Sequence, residues 1–425
     1  MDSKNTNQNE KKTNKFSEVV GKAKSQWSGL SQTKKIIAGV AGVVVIGGVG
    51  VAIYQASTGT SVASAVSGSP LKVTVNSADV IVPDDAAKGT TYVAYNVTLE
   101  NKGSDKIQIS SEPQLVDEDG ETLSSEYVYT STDDFKPMDL TGASLGKGKK
   151  KTGYLVYKLD PKESKDYSIE AECVVTGDNS YDKKEAEQSL AKVTVTDNRD
   201  KIEQLASDYI NQVFLASQST SIGQSTSVGV KASDTAQVTN LASKSDKKKD
   251  DKKKDDDFQL GNNIEADKEL FVKRFKEGLG SSFDYFTPSD SEMQTFVNQY
   301  MEANAKRAQV SVSVEELYPT SAKVKVESKS IDLGKVDMNA LLNDYIKQAT
   351  GKDFSSDEAI MQDAEKYVFA SVPSHLDSTE LAAETDENSI SLSLKDKKWS
   401  VDSSDKDSNY GYSGLQRSMS GHFFY

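Results

Sequence analysis

The sequence predicts a single-pass membrane protein: one N-terminal transmembrane helix, an all-β sandwich, then an α+β domain with helices on a bent antiparallel sheet. Three observations predict it. Residues 36–54 are apolar and uncharged. Residues 70–197 alternate apolar and polar side chains between turn signals. Beyond residue 198 the apolar spacing changes to three and four, interrupted by one hairpin pattern and closed by another.

The anchor comes first. The 19 residues from Ile36 to Tyr54 hold only Ile, Val, Ala, Gly and the closing Tyr. As a helix rising ~1.5 Å per residue they span roughly 28 Å, close to the hydrocarbon thickness. Ile36, Val43, Val45, Ile46, Val51, Ile53 and Tyr54 are the expected membrane-anchor residues. The glycines lack the Gly-x4-Gly-Lys-Ser/Thr spacing of a phosphate loop. The stretch exceeds a signal-peptide core, and the small residues Ala63-Ser64-Ala65 lie well beyond it, so an uncleaved anchor is expected. Lys34 and Lys35 end a leader with eight lysines against Asp2, Glu10 and Glu18, whereas residues 55–71 carry no charge. The positive-inside rule then places the N-terminus in the cytoplasm and the C-terminal domains outside. The pairs Ala38/Gly42 and Gly48/Ala52 fit helix pairing in the bilayer, hence an oligomer, or simply the usual composition of such segments. In the basic tail 1–35, Phe16, Val19, Val20, Ala23, Trp27 and Leu30 share one helical face. It reads as an interfacial helix on anionic lipid or as an unstructured tail.

The chain has 425 residues and a net charge of −14. Because the leader is basic, the remainder is more acidic still, which argues against nucleic acid as a partner and favours basic proteins or cations. Cys173 stands alone, excluding an intramolecular disulfide and a thiolate zinc site. An exported chain without disulfides fits a Gram-positive bacterium. The absence of a cysteine near the apolar stretch excludes a lipoprotein anchor, and no sorting motif follows.

After a small, polar stalk at 55–69, strands are expected around Leu71/Val73/Val75, Val93/Tyr95/Val97/Leu99 and Leu155/Tyr157/Leu159. Asn101-Lys102-Gly103, Asp119-Gly120, Gly146-Lys147-Gly148 and Asp160-Pro161 turn between them. TTYVAYNVTLENKGSDKIQI, PQLVDEDGETL and GASLGKGKKKTGYLVYKLDPKESKDYSIEAE follow in one order. This order resembles the telokin-like, immunoglobulin-like domains of unknown function on Gram-positive surface proteins. The resemblance implies an immunoglobulin-like sandwich over 70–197 and no known active site.

A helix is expected over 198–217, with Ile202, Leu205, Ala206, Tyr209 and Val213 on one face. The region 218–263, which contains KSDKKKDDKKKDDD, reads as a disordered charged insert. The α+β pattern occupies 264–402. It begins with a helix carrying Phe271, Phe275 and Leu279, then a helix opened by the capping box Ser289–Glu292. Strands at 309–315 and 321–332 follow, joined by Tyr318-Pro319-Thr320. Helices come next at 337–349 and 356–370, the second opened by Ser355–Glu358. The hairpin 389–402 closes the domain, with Trp399 inward. FVKRFKEGL, SAKVKVESKSIDL and SLKDKKWSVD resemble an uncharacterised C-terminal domain found beside such modules, with a cystatin-like or nuclear-transport-factor-like cone. Relatives with zinc-ribbons carry cysteines absent here, so no metal is implied. Residues 403–425 read as a polar tail.

Catalytic patterns are thin. A hydrolytic triad needs a base, and only His375 and His422 are available, without a Gly-x-Ser-x-Gly elbow. Asp405, Asp407 and Asn409 occupy the first, third and fifth positions of a calcium loop. However, Tyr410 replaces its glycine and Gln416 its bidentate glutamate. Lys147 and Lys149–Lys151 make a basic patch suited to wall phosphates or to a solvated turn. Tyr127 and Tyr129 fit a binding strip or sheet packing. No catalytic, cofactor-binding or metal-binding residue is therefore assigned. The expected function is a non-catalytic, membrane-anchored extracytoplasmic protein whose two modules bind a protein or envelope component. One alternative is an accessory subunit of a membrane complex, assembled through the Gly-rich helix. A second is ligand binding or catalysis in the C-terminal cone pocket.

Overall fold

A computed structural model describes residues 68–422, leaving out 85, 87–89, 129, 131–134, 141, 160–165, 177–182, 216–229, 233–257 and 405–407. The anchor residues 36–54, Lys34, Lys35, the stalk and the face Phe16, Val19, Val20, Ala23, Trp27 and Leu30 lie outside the described residues.

The single-pass fold class requires correction. Strands and helices are mixed, and among the described residues no helix is long and apolar enough to cross a membrane. The longest described helices, Ile264–Gly280 and Asp290–Arg307, carry several charged residues each and bury only part of their surface. That pattern suits a globular core and not lipid.

The first module is built from strands. β1 (Leu71–Ile81), β2 (Tyr92–Asn101), β7 (Lys150–Lys158) and β10 (Val195–Thr196) form a sheet ordered β10-β1-β2-β7. β3 (Ile107–Ile109), β4 (Gln114–Asp117), β5 (Thr122–Leu123), β6 (Ser144–Leu145), β8 (Tyr167–Val175) and β9 (Lys183–Ser189) form the other. Along one edge of β8, β4 pairs with Tyr167–Glu170 and β3 with Cys173–Val175, while β9 pairs along its other edge. The alternating Val93, Tyr95, Val97 and Leu99 meet Ile109, Leu115, Ile169 and Cys173 in the core between the sheets. Asn101 is buried there without cost because its side chain is fully used. It donates to the Asp105 and Leu145 carbonyls at 2.8 Å each and accepts from the Gly103 amide at 2.8 Å.

The second module follows directly. α1 (Arg199–Ile210) runs into a π-helical turn, Asn211–Leu215. Then come β11 (Val230–Ala232), α2 (Ile264–Gly280), α3 (Asp290–Arg307), β12 (Gln309–Tyr318), β13 (Ser321–Lys329), α4 (Met338–Ala349), α5 (Asp357–Ser371), β14 (Asp386–Lys395), β15 (Lys398–Val401) and α6 (Tyr410–Met419). The sheet runs β11-β12-β13-β14-β15, antiparallel except for the β11–β12 pair. Val312, Val324, Val326, Ile390 and Trp399 on its inward face join side chains from all six helices in one core.

Several boundaries differ from expectation. The Ser289–Glu292 capping box forms as its spacing requires, but α5 is capped by Ser356, which accepts from the Ala359 amide at 3.2 Å, and not by Ser355. Among the described residues of the insert, β11 lies at one edge of the sheet, and the Gln259 and Gly261 main chains pair with Trp399 at the other. Within the expected polar tail, α6 buries Tyr412, Leu415 and Met419. Its two glycines let it lie directly on β14: a Cβ at Gly411 would fall 1.7 Å from the Ser389 carbonyl oxygen.

Candidate functional site

The sequence motifs disperse in space. His375 ends a 3-10 turn, with Nδ1 3.1 Å from both Ser374 Oγ and the Ser371 carbonyl oxygen. The Ser374 proton is already donated to the Ser371 carbonyl at 2.7 Å, and no carboxylate among the described residues holds the ring, so the pair is not assembled as nucleophile and base. His422 lies elsewhere, against Asp386. Asp405 and Asp407 lie outside the described residues, whereas Asn409 caps α6 in position and Gln416 is buried inside it. Among the described residues no cluster of metal-ligating side chains is found. Gly148 adopts φ +69° in the basic turn, and the neighbouring Lys150 and Lys102 pair with Glu100 at 3.6 and 2.9 Å. Tyr127 is 84% exposed, and Tyr129 lies outside the described residues. Cys173 is buried in the sandwich, and burial raises its thiol pKa, which keeps it from reacting.

What the fold brings together is a seam between the modules. β1 runs past its own sheet so that Val82 forms a one-residue antiparallel bridge with Leu317 at the end of β12. The next residue, Tyr318, opens the β12–β13 turn and inserts its ring into the outer face of the first module. It packs at 4.9 Å from Phe135, which stacks at 4.5 Å on Tyr154. Ile81, Ala94, Val128 and Val156 close this second, smaller core. The outer face is apolar here because β2 and β7, polar at Asn96 and Thr152, place the paired Ala94 and Val156 on it, beside Ile81 at the end of β1. Sequence periodicity hides this, because Ala94 and Val156 sit between residues already assigned inward.

Polar groups line both sides of the seam. Asp79, two residues before Ile81, accepts from Ser77 Oγ at 3.0 Å, and burial pushes its carboxyl pKa upward. On the second module, the sheet face opposite the core carries a ladder of alternating charge. Lys323 lies 3.3 Å from Glu316 and 3.7 Å from Glu315, and Lys325 lies 2.9 Å from Glu327 and 3.0 Å from Glu387. Desolvation lowers the Lys323 pKa, but the hydrogen bond to Glu316 and the fields of Glu316, Glu315 and Asp84 raise it further. Asp84 belongs to the turn after Val82, so the ladder begins beside the seam. Among the described residues the seam brings together no paired nucleophile and base.

Comparison with known proteins finds two matches, one within each module, that leave residues 184–240 uncovered. Residues 61–183 match a domain of unknown function (DUF4352), and residues 241–413 match a second (DUF5105). No curated protein matches the chain. Among solved structures, the fold is similar to a candidate lipoprotein, ycdA, from Bacillus subtilis subsp. subtilis str. 168. That likeness has 16% identity and a TM-score of 0.53, covering 85% of this chain and 99% of that one. Partial likenesses extend to yjhA of B. subtilis, with 21% identity, 25% of this chain, 76% of that one and a TM-score of 0.19. A candidate lipoprotein of Staphylococcus aureus NCTC 8325 matches with 16% identity, 30% of this chain, 89% of that one and a TM-score of 0.21.

Proposed function

We propose that the chain is a non-catalytic, membrane-associated surface protein of a Gram-positive bacterium, whose two modules act as one rigid unit in binding a protein or envelope component. The observation carrying this reading is the seam. A buried aromatic contact and a main-chain bridge join modules that could otherwise have been strung on a linker. Surface location is supported by the B. subtilis neighbour described as a candidate lipoprotein, which shares the two-module fold over nearly its whole length. It also fits an acidic chain of 425 residues with a single cysteine.

The test is affinity capture on the full-length chain from solubilised envelopes of a Gram-positive host, with Tyr318→Asp as the control. One defined protein or wall polymer should be retained by the wild type and lost from the variant. Retention of nothing beyond a heat-denatured control contradicts the binding role. Equal retention by both proteins contradicts the single unit.

A further inference from the structure

The first module is electrically polarised along β1. The chain carries a net charge of −14, yet lysines gather at one end of the sandwich. Lys72 stands at the start of β1 and Lys150 and Lys151 at the start of β7. Lys102 lies in the turn after β2, and Lys147 and Lys149 lie in the turn before β7. Strand register joins them into one surface: Lys72, Glu100 and Lys150 form a row across β1, β2 and β7. Glu100 holds Lys102 at 2.9 Å and faces Lys150 at 3.6 Å, and the Asp105 carboxylate accepts from Ser104 Oγ at 2.7 Å. Lys72, Lys147, Lys149 and Lys151 make no ion pair among the described residues, and Lys147 and Lys149 are exposed.

The turns that carry these charges are preformed. The Asn101 amide donates to the Lys149 carbonyl at 3.0 Å, and its carbonyl accepts from the Gly148 amide at 2.9 Å. Lysines on such a base meet a partner without first ordering a loop. The Lys102 amide donates to the Pro70 carbonyl at 2.7 Å, so the basic turns flank the point where residues 1–67 join the module. From there β1 runs 11 residues, roughly 33 Å, to Ile81 and the seam. The second module therefore lies at the opposite end from the lysines.

We propose that the lysine end of the first module docks on an anionic lipid surface, with the second module held away from it beyond the far end of β1. This rests on the membrane-associated reading above and adds an orientation to it. The cations are spread over three strands and two turns, and Asn101, the buried polar side chain beside them, has both amide protons already donated. That arrangement seats no discrete anion, but it matches the diffuse field of a headgroup plane, which acts on all the lysines at once.

The test is energy transfer from a dye on the full-length chain to a headgroup-labelled lipid, in vesicles of phosphatidylcholine with and without phosphatidylglycerol. The dye is placed at Ser104→Cys in the basic turn or at Thr385→Cys before β14, both exposed, with Cys173 replaced by alanine. Transfer from Ser104 should be high only with phosphatidylglycerol and should fall at high salt, while transfer from Thr385 stays low. Lys147→Gln with Lys149→Gln should weaken the docking about 25-fold. Equal transfer from Ser104 on both vesicles overturns the proposal, as does transfer that survives the double substitution. Flotation separates the two readings: a chain that floats with neither vesicle contradicts membrane association itself, whereas one that floats without the Ser104 signal contradicts the docking alone. Retention of an anionic wall polymer that the double substitution abolishes, with transfer unchanged, assigns the lysines to the polymer and also overturns the docking.

Discussion

Val82 and Leu317 exchange both main-chain hydrogen bonds, each 2.9 Å long, although they belong to different modules. A pair of this kind fixes orientation as well as distance, because a single rotation of either strand breaks both bonds. The aromatic contact beside it supplies buried area at the same junction.

Tyr318→Ala should uncouple the modules. Removing a ring that is 1% exposed leaves a cavity against Phe135 and costs about 3 kcal/mol. The cost falls on the seam, so scanning calorimetry should resolve two transitions where the wild type shows one. A single transition, merely shifted, would mean that the seam does not hold the modules together.

Glu365 clamps the α2–α3 connection. Its carboxylate, 1% exposed, accepts from the amides of Asp284, Tyr285 and Phe286 at 3.3, 2.8 and 2.7 Å. Glu365→Ala orphans these buried donors and should lower stability to urea by about 3 kcal/mol, with Glu365→Gln losing roughly half of that.

Gly411 and Gly414 should respond differently to alanine. The added Cβ at Gly411 meets the Ser389 backbone, which cannot withdraw without breaking the sheet. At Gly414 it meets the Asn388 side chain, which can rotate away. Gly411→Ala should cost about 3 kcal/mol and Gly414→Ala about 1, measured by chemical denaturation.

Asp79 makes stability depend on pH. Burial raises its folded pKa above the unfolded value, so the folded protein holds the proton more firmly. This contribution is fully present below the unfolded pKa and is lost as pH rises through the raised folded one. Asp79→Asn should therefore match the wild type in acid and exceed it above that window. A stability difference that does not change with pH would contradict the assignment.

The hairpin turn can be improved. Asp396 and Lys397 both have positive φ, 49° and 66°, in the two-residue loop joining β14 to β15. Asp396→Asn with Lys397→Gly suits that geometry and should raise stability by about 1 kcal/mol, read as an upward shift in the urea midpoint.

Legibility followed the range of the forces involved. Val93, Tyr95, Val97 and Leu99, the helical face of Ile202, Leu205 and Tyr209, and the Ser289 capping box are local patterns, and each stands where its spacing requires. Trp399 is inward as alternation requires. The seam was not legible, because Tyr318 looks like one turn residue beside a proline and its partners are about 160 to 240 positions earlier in the chain. Nor was α6: serines and glycines read as a tail, yet Gly411 and Gly414 are the condition for close packing on β14. The single-pass fold class rested on hydropathy in a stretch outside the described residues, and no described helix has the character to replace it.

Electron–electron double resonance tests the rigid two-module unit most directly. Spin labels at Lys184→Cys on β9 and Lys366→Cys on α5, both exposed positions, span the seam, with the buried Cys173 replaced by alanine. A rigid unit gives one narrow distance distribution that broadens in Tyr318→Asp. A broad or multiply peaked distribution in the unmutated seam would contradict it.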